Sequence, residues 1–150
     1  MSDLRHTFDK SYWRAVKQKV DGQDFFTHFY AALTTSPRVT AMFAHTDMRF
    51  QAKLLNESLI HASRFSTTFH ADSYLQAVAR HHAHDQLNVA PELYDLWLAC
   101  MLDTVKRFDP LYDEEVDTAW RVVLAPAIAY MRSHYARPPG APGSDPDPKP

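Results

Sequence analysis

Glycine is scarce in this chain: three residues, Gly22, Gly140 and Gly143, two of them close to the C-terminus. A glycine-rich loop that cradles phosphate is thereby excluded. Chains dominated by short strands and tight turns draw on turn glycine that is missing here. Cysteine is scarcer still, and Cys100 alone cannot form an internal disulfide. Its setting in Trp97-Leu98-Ala99-Cys100-Met101-Leu102 reads as core packing in a reducing compartment. Charge of one sign is also wanting, because 16 Lys and Arg against 18 Asp and Glu leave −2 with no basic block. Neither nucleic acid nor an anionic membrane surface is therefore an expected partner. No apolar run approaches the ~20 residues of a membrane span, and Met1–His6 holds no apolar signal core. A cytoplasmic protein is the expectation. Glu-x-x-His and His-Glu-x-x-His are both absent, which argues against a di-iron bundle and a zinc hydrolase. No Ser/His/Asp set is marked by a strained elbow.

What remains is long helical periodicity in a 150-residue chain, of which 45% is apolar, enough for one domain with one sizeable core. The first run covers roughly 3 to 20, with Phe8, Tyr12, Val16 and Val20 on a repeating face, and stops at Asp21-Gly22. Asp24 to Thr34 stacks Phe25, Phe26, Phe29, Tyr30 and Leu33. Ser36-Pro37 starts a short helix, with serine as cap and proline at the first position, that ends near Met42-Phe43. Thr46 or Asp47 caps the next, in which Leu54, Leu55, Ser58, Leu59, Ala62 and Phe65 form a stripe shared by Gln51. Pro91 opens a helix apolar on two sides, carrying Tyr94, Trp97 and Met101 on one and Leu93, Leu96 and Cys100 on the other, and therefore central. Asp109-Pro110 breaks it. The last helix runs from about Asp113 to Tyr135 with Trp120 as a core residue, and Pro126 inside it predicts a kink. Residues 1–136 thus form an all-α domain. Residues 137–150, with six prolines and no aliphatic residue larger than alanine, form a Pro/Gly/Asp-rich tail expected to be disordered.

The chemistry concentrates in Val78-Ala79-Arg80-His81-His82-Ala83-His84-Asp85, where three of the nine histidines fall within four residues. Imidazole is the commonest side-chain ligand for metals and haem iron. Tyr74, Leu75 and Val78 precede His82 by eight, seven and four residues, so helical spacing puts all four on one apolar face. His84 has Arg80 and Ala77 behind it, a poorer wall for a flat apolar cofactor. The plainer alternative is a solvated cluster of histidines at a helix C-terminus, compatible with its dipole.

In order and spacing the landmarks resemble the globin family, in particular bacterial single-domain globins related to the haem domain of flavohaemoglobins. The resemblance spans about residues 8 to 135. It rests on Phe29-Tyr30-x-x-Leu33 followed by Pro37 and Phe43, then Thr46-Asp47-Met48-x-x-Gln51-x-x-x-Leu55, then Val78-Ala79-Arg80-His81-His82, then Pro91-Glu92-Leu93-Tyr94, and Ala119-Trp120. It implies a globin fold around one haem b. Phe43 resembles the phenylalanine that stacks on the haem, Gln51 the distal residue facing the bound ligand, and Leu55 its apolar neighbour. Val78-Ala79-x-x-His82 resembles the signature that ends in the proximal histidine, with Tyr94 among the cofactor contacts. The alternative ligand is His84, seven residues before Pro91 where His82 is nine before it. We prefer His82, because a two-residue insertion in a surface turn costs little whereas Arg80 under an apolar cofactor costs much. The segment from Tyr30 to Pro37 is one residue shorter than in the relatives, so either Phe29 or Tyr30 points into the distal pocket.

The resulting expectation is reversible binding of a diatomic gas, O2, CO or NO, at a pentacoordinate iron held by one histidine. A haem redox enzyme such as a nitric oxide dioxygenase is the alternative. No flavin or nicotinamide domain lies within the 150 residues, so that activity would need a separate reductase. Nor does the last helix carry a glutamate after Glu115, where flavohaemoglobins place one in a network with the proximal histidine. A cofactor-free or zinc-binding module using His81, His84 and Asp85 is the third reading.

Overall fold

A computed structural model of the chain describes residues 3–83 and 89–135. In chain order these form α1 (Leu4–Lys17), β1 (Lys19–Val20), β2 (Gln23–Asp24), α2 (Phe25–Leu33), α3 (Pro37–Met42), α4 (Met48–Thr68), α5 (Ser73–His82), α6 (Pro91–Phe108) and α7 (Glu114–Ser133). Five helix starts use the same device. The carboxylates of Asp3, Asp24, Asp47, Asp72 and Asp113 each accept a hydrogen bond from a backbone N–H of the first turn, at His6, Thr27, Arg49, Leu75 and Val116. The other two helices, α3 and α6, begin on Pro37 and Pro91, whose missing N–H would have gone unused. Ser36 holds the cap position of α3, but its side chain makes no capping bond, contrary to expectation.

The first helical run ends three residues earlier than its periodicity predicts. Asp21 and Gly22 take φ of 51° and 79°, and the flanking pairs form a small antiparallel hairpin with Val20 opposite Gln23. Two consecutive positive φ values suit a tight hairpin turn better than a helix stop, so Val20 belongs to β1 and not to α1. The helix α7, by contrast, continues through Pro126 to Ser133.

Packing follows the apolar faces. α1 lies against α7 and α6, α4 against α7, α2 against α6, and α5 against α4 and α7. Trp120, fully buried on α7, is the centre, with the rings of Phe8, Tyr12 and Phe25 at 4.6, 6.5 and 6.2 Å. Its indole N–H donates to Ser11 Oγ at 2.9 Å, and that hydroxyl donates onward to Asp109 Oδ2 at 2.6 Å. Arg14 grips the same carboxylate with two bonds of 2.7 and 2.8 Å. Burial alone would raise the Asp109 pKa, but bonds from Arg14, Ser11 and the Leu111 N–H outweigh it and hold the group below its ordinary value. The residue that ends α6 thus locks α1, α6 and α7 together.

Candidate functional site

The site is framed by α4 and α5. The backbone reverses at Phe69, in the left-handed region at φ 51°, and Asp72 then caps α5. The two helices are tied by Tyr74, whose hydroxyl donates to the Leu54 carbonyl at 3.0 Å and lies 3.1 Å from Ser58 Oγ. His61 adds a second tie, with Nδ1 2.6 Å from Asp72 and its ring stacked on Tyr74 at 4.3 Å and 6°. These ties run antiparallel: going back along α4 corresponds to going forward along α5. Gln51, three residues before Leu54, and His82, about two turns beyond Tyr74, therefore lie toward the same end of the helix pair.

At that end the sequence-predicted residues come together in part. Phe29 and Tyr30 are both buried on α2 but face different neighbours. Phe29 sets its ring edge-on to Trp97 at 5.8 Å, whereas Tyr30 turns to Phe43 at 5.6 Å and to Gln51. Gln51 Nε2 donates to Tyr30 Oη at 3.2 Å, and the tyrosine's own proton has the Gln51 carbonyl at 3.5 Å. Burial above all, offset by the Gln51 bond and reinforced by nearby Tyr74, pushes the Tyr30 phenol up to about 12. It therefore keeps its proton at neutral pH. Phe43, Gln51 and Val78 are half-buried, Leu55 is buried, and Tyr94 is buried with its phenol pushed up to about 12 by desolvation.

On α5, Leu75 and Ala79 supply the buried stripe and Val78 and His82 flank it. Tyr74, expected on the same cofactor-facing side, instead turns its ring and hydroxyl to α4, because Leu54 and Ser58 there offer its hydroxyl partners. His82 Nδ1 is buried with no hydrogen-bond partner among the described residues. Burial, and then neighbouring His81, push the imidazole down to about 4, so it is neutral near pH 7 with a lone pair available. A buried ring nitrogen left unpaired costs about 1–3 kcal/mol, which a partner from outside the protein would offset.

These residues fit a haem: a neutral, partly buried histidine on a helix whose buried stripe is Leu75 and Ala79, with half-buried Val78 beside it, and a phenol–amide pair toward the same end. His84 and Asp85 lie outside the described residues, as does the tail from residue 136 onward. Among the described residues no group of three His, Cys, Asp or Glu is placed to hold a metal ion by itself. An apolar groove of about 660 Å³ runs between the end of α4 and the second half of α7 and shares no residue with this set. The site is thus identified by its donors rather than by the size of a hollow. No sequence signal marked the His61–Asp72–Tyr74 ties, since their partners come from two helices and the connection between them.

No protein-family model and no curated protein matches this sequence. Among solved structures it is similar to a protein of Pseudomonas aeruginosa PAO1, reported as structurally highly homologous to a human hemoglobin. The TM-score is 0.82 at 34% identity, over 90% of this chain and 100% of that one. Fold, landmarks and this likeness agree, and the chain belongs to the globin family.

Proposed function

We propose that this protein binds one haem b through His82 and reversibly binds a diatomic gas, with residues 1–136 as the globin domain and 137–150 as an appended tail. The observation that carries this is His82, a neutral, partly buried imidazole whose Nδ1 has no hydrogen-bond partner among the described residues. Haem, when bound, supplies an iron with an open coordination position for O2, CO or NO. Val78, Phe43, Leu55 and Tyr94 form the apolar surroundings, and Tyr30 and Gln51 supply the polar contact on the ligand side. Gln51 orients the phenol, and Tyr30 donates its proton, which among the described residues has a 3.5 Å contact to the Gln51 carbonyl.

A haem redox enzyme such as a nitric oxide dioxygenase is the alternative, and it would require a separate reductase. We assign the chain to the bacterial single-domain globins related to flavohaemoglobin haem domains on the motifs around Tyr30, Gln51 and His82. We also assign it to the cytoplasm; no helix of the described residues is long and apolar enough to cross a membrane. The test is an absorption spectrum of haem-reconstituted, reduced protein with and without oxygen and carbon monoxide. An intense band near the blue edge of the visible that shifts with each gas supports the reading, and a spectrum indistinguishable from free haem refutes it.

A further inference from the structure

Resting on this haem-binding reading, we infer that Tyr74, His61 and Asp72 form a clamp that positions α5, and through it His82, without touching the cofactor. α5 is ten residues long, too short to hold its helical form unaided, and only Leu75 and Ala79 are fully buried. Beside its packing against α7, its grip on the molecule therefore draws on the side chains at its N-terminal end. Asp72 serves two elements at once: Oδ1 caps α5 through the Leu75 N–H at 2.9 Å, and Oδ2 meets His61 Nδ1 of α4 at 2.6 Å. The Asp72 carboxyl is held below its ordinary value because the Leu75 N–H and His61 outweigh the opposing effect of burial. Tyr74 is wedged between the His61 ring, stacked 4.3 Å away and nearly parallel, and the Leu54 and Ser58 oxygens of α4. The Ser58 hydroxyl itself donates to the Leu54 carbonyl at 2.9 Å. α4 thus fixes the start of α5 in rotation and height. Eight residues beyond Tyr74 the same helix presents His82, and on α4 Gln51 lies about one turn before Leu54, which accepts the Tyr74 hydroxyl. The clamp sets the relation between the two sides of the site.

Tyr74→Phe keeps the stack and deletes the hydroxyl's bonds. Asp72→Asn keeps a good helix cap and deletes the charge opposite His61. Both are tested as reconstituted full-length protein by transfer of haem to an excess of an apo-acceptor protein, by the iron–histidine vibrational band of the reduced form, and by hydrogen exchange of the α5 amides in haem-free protein. Losing the hydroxyl's bonds should speed haem transfer about tenfold and broaden or shift the iron–histidine band. Exchange across residues 75–82 should rise while α1 and α7 stay protected. If transfer stays within about twofold of wild type, well below what the lost bonds imply, and the band is unmoved, the positioning role is overturned, even if α5 exchanges faster. Wild-type protein that takes up no haem refutes the functional reading instead. Exchange alone then decides whether the clamp holds α5, and unchanged protection overturns it.

Discussion

Replacing Tyr30 by phenylalanine removes a single oxygen atom from a buried ring, and its consequence for ligand binding can be worked out from three distances. The Tyr30 hydroxyl receives a bond from Gln51 Nε2 at 3.2 Å, while among the described residues its own proton has the Gln51 carbonyl at 3.5 Å, the outer limit of a useful hydrogen bond. The ring of Phe43, at 5.6 Å and edge-on, supports the phenol from the side. The proton can therefore turn to an incoming ligand with little lost inside the protein. Dioxygen as a haem ligand is polar and accepts such a bond, whereas carbon monoxide stays nearly neutral. A bond to a partly charged acceptor contributes about 1.5–3 kcal/mol, or roughly ten- to a hundredfold in a rate. Tyr30→Phe should speed oxygen dissociation by that factor and leave carbon monoxide dissociation nearly unchanged. Gln51→Leu removes a neutral bond that orients the phenol, about 0.5–1.5 kcal/mol, and should speed oxygen loss roughly two- to tenfold. Stopped-flow ligand replacement on both variants is the assay. If neither changes the oxygen rate by more than about twofold, short of the smallest of these magnitudes, the assigned ligand side is wrong.

Asp109→Asn should cost about 3 kcal/mol in chemical denaturation, because the Arg14 guanidinium loses its buried counter-charge. The Asp109 pKa is lowered on folding, so its contribution is present above the unfolded value of about 4 and disappears as pH falls through the folded one. Wild type should lose stability in that acid window more steeply than the variant, and parallel pH profiles would contradict the assignment. Truncation after Ala136 should change the denaturation midpoint and haem uptake little, within about 0.5 kcal/mol. The tail offers proline and charge but no large aliphatic side chain to bury, and a loss of several kcal/mol would show that it packs on the domain.

The helical order was legible because each start is written locally: Asp47 and Asp113, and the prolines at 37 and 91, carry their signal within one turn. Tyr30 and Gln51 were each legible as candidates from landmarks and spacing, but their hydrogen bond to one another and the choice between Phe29 and Tyr30 were not. That choice depends on where Trp97 of α6 comes to lie, a contact between residues 68 apart in sequence. For the same reason Asp109 read only as a helix breaker and Trp120 only as core, since Ser11 and Arg14 lie about a hundred residues away. The hairpin at Asp21-Gly22 was missed because an Asp-Gly pair also ends helices. The two consecutive positive φ values and the pairing of Lys19 with Asp24 and Val20 with Gln23 distinguish the two. Tyr74 sits at the right helical spacing for the cofactor face, and its hydroxyl, which needs an acceptor once removed from water, draws it to α4 instead.

The central claim is that His82 is the protein's bond to iron, and the most direct measurement is the visible spectrum of reconstituted His82→Gly and His84→Gly proteins, each before and after added imidazole. His82→Gly is expected to lose the wild-type spectrum and regain it when imidazole fills the vacated position, while His84→Gly stays nearly indistinguishable from wild type. The exchanged outcome, an unaltered His82→Gly spectrum and an imidazole-dependent His84→Gly, would contradict it.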